Sequence, residues 1–430
     1  MLSCTINNGR LFDPASNLDQ VADLHINSGR IVAIGQAPVG FEAQKTIDAK
    51  GLLVIPGLVD LSTRLGEPGL EHFTTIAREG RAAAAGGITT LCCQPDTDPI
   101  NDTFAVTELI QRRARQAGNA FVLPIGALTK GLKGETLSEM VAMHREGCIA
   151  FSLADKPIAN TQTLFNAFEY AATHDLLVMM RPIDSYLGRS GVAHRGAISS
   201  ALGLPDIPTA AETLAVSRLI LLAEETGVRL HLSRLSSARS VDMLAAAQAR
   251  GLAITADVAI HQLHLTEHDI SDFASFAHVQ PPLRSQRDRD ALRTGVKDGI
   301  IAAVCSDHTP LMHDDKLLPF PESVAGICGL ESLLPLMLAL VREHHLSLEQ
   351  AIRAVTYQPA RILGIQRGSL SIGMSADVAL VDLNEEWLFN RHQLVSAGDN
   401  TPFHKWALTC RVKATLFIGQ ISFALPSCDL

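Results

Sequence analysis

The chain has 430 residues, 47% of them hydrophobic and 19% charged, with a formal net charge of −9. That composition excludes a disordered or fibrous chain and fits one large α/β barrel with a small domain, or two ordinary domains. Both charge signs are interspersed and no basic tract occurs, which argues against nucleic acid or an anionic membrane as a partner.

The first residues, MLSCTINNGRLFDP, lack a cationic start followed by an apolar run, so no secretory signal is expected. No uncharged apolar stretch of spanning length follows, so no transmembrane helix is expected. The eight cysteines (4, 92, 93, 148, 305, 328, 410 and 428) are scattered without zinc-finger spacing. Reduced thiols in a cytoplasm follow from that pattern.

Residues 1–54 read as short strands, CTINNGRLF, DLHINSG, RIVAIG and KTIDAKGLLVIPG, with Asn8-Gly9 and Ser28-Gly29 as turn signals. The C-terminal part resumes that texture in ADVALVDL and ATLFIGQISF. Residues 1–54 and 372–430 are therefore expected to form one composite β domain, a small flanking β-sandwich.

Residues 55–371 alternate differently. Strand-like runs GLVDLS, TTLCCQPD, AFVLPIGAL and CIAFSLA each precede an Ala/Leu-rich helical stretch. LLVMMRP, VRLHLSRL, LAITADVAIH and IIAAVCSD continue the series. About eight such units predict a (β/α)8 TIM barrel, whose chemistry sits where strands end. Ser62, Asp96, Leu153, Arg181, Arg234, His261 and Asp307 stand at those ends.

GLVDLSTRLGEPGLEHFTTIAREGRAAAAGGITTLCCQPDTDPIND resembles the opening of dihydroorotase barrels. SARSVDML, QPPLR, SDHTPLMHDDK, AGICGLESLLPL, YQPARILGI and NTPFHKW fall in the same order as their counterparts. The resemblance covers nearly the whole chain and implies an amidohydrolase-superfamily barrel with a metal site. Such a site lowers the pKa of a zinc-bound water to about 7. Its ligands are neutral imidazoles and carboxylates.

Residue by residue, the resemblance implies that this site is degenerate. The motif Asp-x-His-x-His-x-Arg reads Asp60, Ser62, Arg64, Gly66, so both histidines and the substrate-binding Arg are replaced. Pro-Asn-Thr reads Pro95-Asp96-Thr97, which puts a carboxylate where the substrate's own carboxylate would bind. The bridging carboxylate position falls on Leu153, with Asp155 and Lys156 displaced by two and three residues. Two further histidine positions are Arg181 and Arg234. Asp307 matches the catalytic Asp, the later His is Leu311, and the Asn before Pro-Pro-Leu-Arg is Gln280.

Only Asp307 among the six ligand positions keeps a good donor. Arg has no lone pair to offer and stays charged. Two unit charges ~5 Å apart at an effective dielectric of ~20 repel by roughly 3 kcal/mol, and a divalent ion beside three guanidiniums faces several times that. The expectation is no zinc and no enzyme: a pseudoenzyme with at least one of Arg64, Arg181 and Arg234 paired to Asp307.

Two other histidine groups, His261/His264/His268 and His308/His313 with Asp314/Asp315, are alternative metal sites. Their bland reading is ordinary barrel histidines and, for MHDDK, a solvated loop tip. The resemblance further implies assembly with the aspartate transcarbamoylase catalytic chain in pyrimidine biosynthesis, as a cytoplasmic homodimer. The alternatives are an amidohydrolase with an unusual metal or none, and a barrel that senses an anion or nucleotide through its three arginines.

Overall fold

The structure, a computed structural model, describes residues 3–188 and 190–426. Its centre is eight parallel strands: Leu58–Thr63, Ile88–Cys93, Phe121–Ala127, Ala150–Ser152, Leu177–Met180, Arg229–Leu232, Ile254–Ala259 and Ala303–Cys305. Each pairs with the next in chain order. A parallel bridge between Thr63 and His308 joins the last to the first. There Arg64 N donates to His308 O at 2.8 Å. The ring thus closes, as the alternating strand and helix pattern predicts.

These segments form strands because both faces are buried. Cys92 and Ile125 point into the barrel interior with Val59, Leu61 and Met179. Leu91 and Cys93, one position either side of Cys92, pack outward among the helices. The Ala-rich run after the first strand becomes the helix Ile76–Ala85, capped by Thr75, whose side chain accepts from Arg78 N.

Both chain ends build the flanking domain. Strands Cys4–Asp13, Leu18–Asn27, Arg30–Ile34, Lys45–Asp48 and Leu53–Pro56 come from the N-terminal part. Val378–Leu388, Ala407–Phe417 and Gln420–Ala424 come from the C-terminal part. Antiparallel pairing of Leu53–Pro56 with Val378–Val381 joins the two sets. Ile6, Leu11, Leu24, Val54, Leu380 and Leu416 fill their common core.

Ser28-Gly29 is the hairpin turn its residues predict, with φ of 51° and 77°. Asn8-Gly9 is not a turn between strands. It is a bulge inside Cys4–Asp13, where the register slips between Ile6 and Gly9. Val54 Cγ2 lies so close that a Cβ on Gly9 would collide with it. Among the described residues no helix is long and apolar enough to cross a membrane, and the seven described cysteines are free.

Candidate functional site at the barrel mouth

The strand ends converge on one ion-pair cluster. Arg234, at φ 57° just past the sixth strand, is fully buried. Its Nη1 lies 2.7 Å from Asp307 Oδ1 and its Nη2 2.5 Å from Asp155 Oδ1. Arg64 places Nε 2.9 Å from Asp96 Oδ2 and Nη2 2.5 Å from Asp155 Oδ2. Its Nη1 donates to Thr309 Oγ1 at 3.0 Å. Arg181 lies with Nε 2.8 Å from Asp155 Oδ1 and donates from Nη2 to Asp155 O at 3.1 Å.

Ser62 Oγ donates to Asp307 Oδ1 at 3.3 Å and accepts from Gln94 Nε2 at 3.3 Å. Three guanidiniums, Arg64, Arg181 and Arg234, therefore face three carboxylates, Asp96, Asp155 and Asp307. Each of these guanidiniums has a carboxylate partner, and Asp307 is engaged by Arg234 and Ser62.

The electrostatics follow from burial and neighbours. Burial pushes the Asp155 carboxyl up, but Arg234, Arg64 and Arg181 outweigh it and hold that group far below the carboxylate range. Burial lowers Arg181 from its ordinary value, against the pull of Asp155. Burial raises the Asp307 carboxyl, against Arg234. Asp60, the acid of the first motif, is pushed up to about 6 by burial. It ties the first and last strands by accepting from Ser306 N at 3.0 Å.

An arginine paired to Asp307 is expected from among Arg64, Arg181 and Arg234, and Arg234 fills that role, but the hub of the cluster is Asp155. Sequence spacing set Asp155 aside as displaced from the bridging position. The chain turns after Leu153, through Ala154 at φ 50°, and swings Asp155 into the mouth. Leu153 itself is buried in the apolar core. Asp96 is not a bare repulsive charge, because Arg64 neutralises it. Gly66 has φ 71°, and a Cβ there would collide with Thr74. Gln280 donates to Gly191 O at 3.4 Å, and Leu311 N donates to Asn400 Oδ1 at 2.9 Å. Neither side chain joins the cluster's ion pairs.

The alternative histidine sites come apart. His264 Nε2 lies 3.1 Å from Leu336 O, while His268 is exposed. His261 is buried with both ring nitrogens unpartnered, and burial holds it neutral by lowering its pKa to about 3. His308 is buried against Glu79 at 3.0 Å, whereas His313 sits at the surface 3.0 Å from Asp399. The MHDDK run is not simply a solvated tip, because Lys316 within it is buried.

The residues present do not fit the zinc site that the fold family implies. His231, three residues before Arg234, has both ring nitrogens engaged, by Asp257 and Thr255 at 2.8 Å each. Among the described residues no group of three or more His, Cys, Asp or Glu side chains gathers as a metal site would need.

An eight-stranded parallel barrel with its polar cluster at the strand ends, flanked by a β domain, defines the class as an amidohydrolase-type barrel. An L-hydantoinase (dihydropyrimidinase) from Arthrobacter aurescens superposes with a TM-score of 0.89 at 25% identity, covering 100% of this chain and 98% of that one. Residues 51–240 match the family model described as Dihydro-orotase-like. A dihydroorotase-like protein of Pseudomonas aeruginosa is 48% identical over 421 residues, 98% of this chain and 99% of the relative. A dihydroorotase of Syntrophotalea carbinolica is 40% identical over 420 residues, with the same coverage. The chain belongs to the dihydroorotase-like family.

These relatives correct one expectation. The reading of the chain as a non-enzyme is overturned, because relatives aligned over almost its whole length bear the name of a hydrolase, dihydroorotase. The structural neighbour is a hydantoinase, likewise a hydrolase. The changed strand ends describe how this site is built and do not remove the chain from a family of hydrolases.

Proposed function

We propose that this protein serves pyrimidine biosynthesis in the cytoplasm as a homodimeric dihydroorotase-like subunit that assembles with, and structurally supports, the aspartate transcarbamoylase catalytic chain. The observation that carries the reading is the mouth itself. Arg64, Arg181 and Arg234 with Asp96, Asp155 and Asp307 form a closed, charge-balanced cluster in a fully maintained barrel. The barrel around that cluster is closed and packed, as a folded assembly subunit requires. The proposal includes a mouth held by ion pairs in place of zinc.

The test is sedimentation velocity of the purified chain mixed with the purified aspartate transcarbamoylase catalytic chain. A stoichiometric complex is expected at micromolar concentration. Separate sedimentation of the two proteins would sink the reading.

A second reading has its own support in the relatives' names: cyclic amide hydrolysis by a site without the usual ligand set. Turnover of dihydroorotate or carbamoyl aspartate that disappears in Asp307→Asn would favour it. Turnover unchanged in that variant would mark a contaminating enzyme.

A further inference from the structure

Two loops beyond the seventh and eighth barrel strands carry a surface that the mouth cluster does not use. Phe273, Met312, Leu317, Leu318 and Val324 are exposed there by 39% to 64%. Large apolar side chains scattered singly on a surface need no explanation, but a group fixed in one place does.

The fixing is extensive. Lys316 is buried between the loops, and its Nζ donates to Ser275 O at 3.1 Å and His278 O at 3.0 Å. Ser275 Oγ donates back to Lys316 O. Phe320 is buried and stacks on His278 with ring centroids 4.7 Å apart. Nδ1 of His278 lies 2.8 Å from Ser323 Oγ, and Val324 N donates to Asp315 O at 3.1 Å. Leu317 and Leu318 thus project from a loop anchored on either side by Lys316 and Phe320. A preorganised apolar surface loses little conformational entropy when it is covered.

The exposed carboxylates and ammonium or guanidinium groups of the two loops are of one sign. Segments 264–278 and 312–326 contain a single Lys or Arg, the buried Lys316. Asp269, Asp272, Asp314 and Glu322 are all exposed there. The neighbouring Arg391 stacks over Phe276 at 4.6 Å and lies 3.9 Å from Asp399, so it does not reverse the sign.

We infer that the 273 and 312–324 loops form a docking surface for a protein partner that presents an apolar patch bordered by Lys and Arg. This deepens the assembly reading above by naming the face that makes the contact, and it rests on that reading for the partner's identity. Charge complementarity selects such a partner over an acidic one. The apolar centre supplies the affinity, as buried anchors do in most interfaces.

The test compares variants of the full chain by sedimentation velocity against the aspartate transcarbamoylase catalytic chain. Leu317→Ser/Leu318→Ser is expected to weaken the complex at least about tenfold. Asp314→Lys/Glu322→Lys weakens it several-fold and flattens its loss with added salt. Leu214→Ser, at an exposed leucine on the outer helix Ala210–Thr226, leaves it unchanged. Equal affinity of the wild type and both loop variants would overturn the docking surface while leaving the assembly reading intact. A wild-type dimer that Leu317→Ser/Leu318→Ser dissociates would also overturn it, since the occupant is then a second copy.

If the wild type binds no catalytic chain, the assembly reading falls and a leucine/lysine amphipathic helical peptide decides the surface. Peptide binding lost in Leu317→Ser/Leu318→Ser supports the surface. Binding that is absent, or equal in both proteins, overturns it.

Discussion

Asp155 holds three guanidiniums with one carboxylate, and its worth depends on what its loss leaves behind. Asp155→Asn removes the charge that Arg64, Arg181 and Arg234 share, in a side chain still 33% exposed. With that exposure discounted, a loss of about 1–3 kcal/mol is expected in urea unfolding at pH 7. Arg234→Met strands Asp307 and should cost more, about 3–5 kcal/mol. Adding Asp307→Leu to Arg234→Met should recover part of it, because the uncompensated charge is gone. An Arg234→Met chain as stable as wild type would show that the pair does not organise the mouth.

A second residue gives a pH signature. Burial pushes the Glu331 carboxyl up to about 7, while its Oε1 accepts from Val395 N at 2.8 Å and Ser396 N at 3.1 Å. A folded-state pKa above the unfolded value means the native state binds the extra proton. Stability from this group is therefore present at acid pH and lost as pH rises from about 4 through 7. Glu331→Gln keeps an oxygen acceptor and removes the titration. Melting curves between pH 5 and 8 should show the wild type losing about 2–3 kcal/mol more than the variant over that range. Parallel curves would refute the assignment.

At the scale of elements, the strands and helices were legible because burial on both strand faces leaves continuous apolar runs. Ser62, Arg64, Arg181, Arg234 and Asp307 were legible as strand-end positions. Asp155 was not, since its arrival depends on Ala154 taking φ 50°, which no hydrophobic period encodes. Asn8-Gly9 misled for a related reason: left-handed residues serve bulges as well as turns.

Lys316 was illegible because a lysine among His313, Asp314 and Asp315 reads as solvated, whereas two backbone carbonyls across the loop pair satisfy it in burial. Lys316→Met should therefore loosen one element rather than the fold. Amide exchange of residues 312–326 is expected to speed by about tenfold while the barrel strands keep their protection. Unchanged exchange in that segment would mean Phe320 alone holds the loop.

For the whole molecule, a barrel closed between Thr63 and His308 and a β domain drawn from both ends give a rigid frame around the mouth. In that frame Arg64, Arg181, Arg234 and Asp307, at positions the family resemblance implies for metal ligands, join Asp96 and Asp155 in an ion-pair cluster. Rebuilding a zinc site by Ser62→His, Arg64→His, Leu153→Asp, Arg181→His and Arg234→His would still leave Asp155 without its cations and Gly66 against Thr74.

If the ion-pair cluster stands in place of a metal, the purified chain carries none. Elemental analysis of the full chain purified from zinc-supplemented cells measures this. A small fraction of one zinc per chain is expected, unchanged in Asp307→Asn. One or two zinc ions per chain that are lost in Asp307→Asn would contradict it.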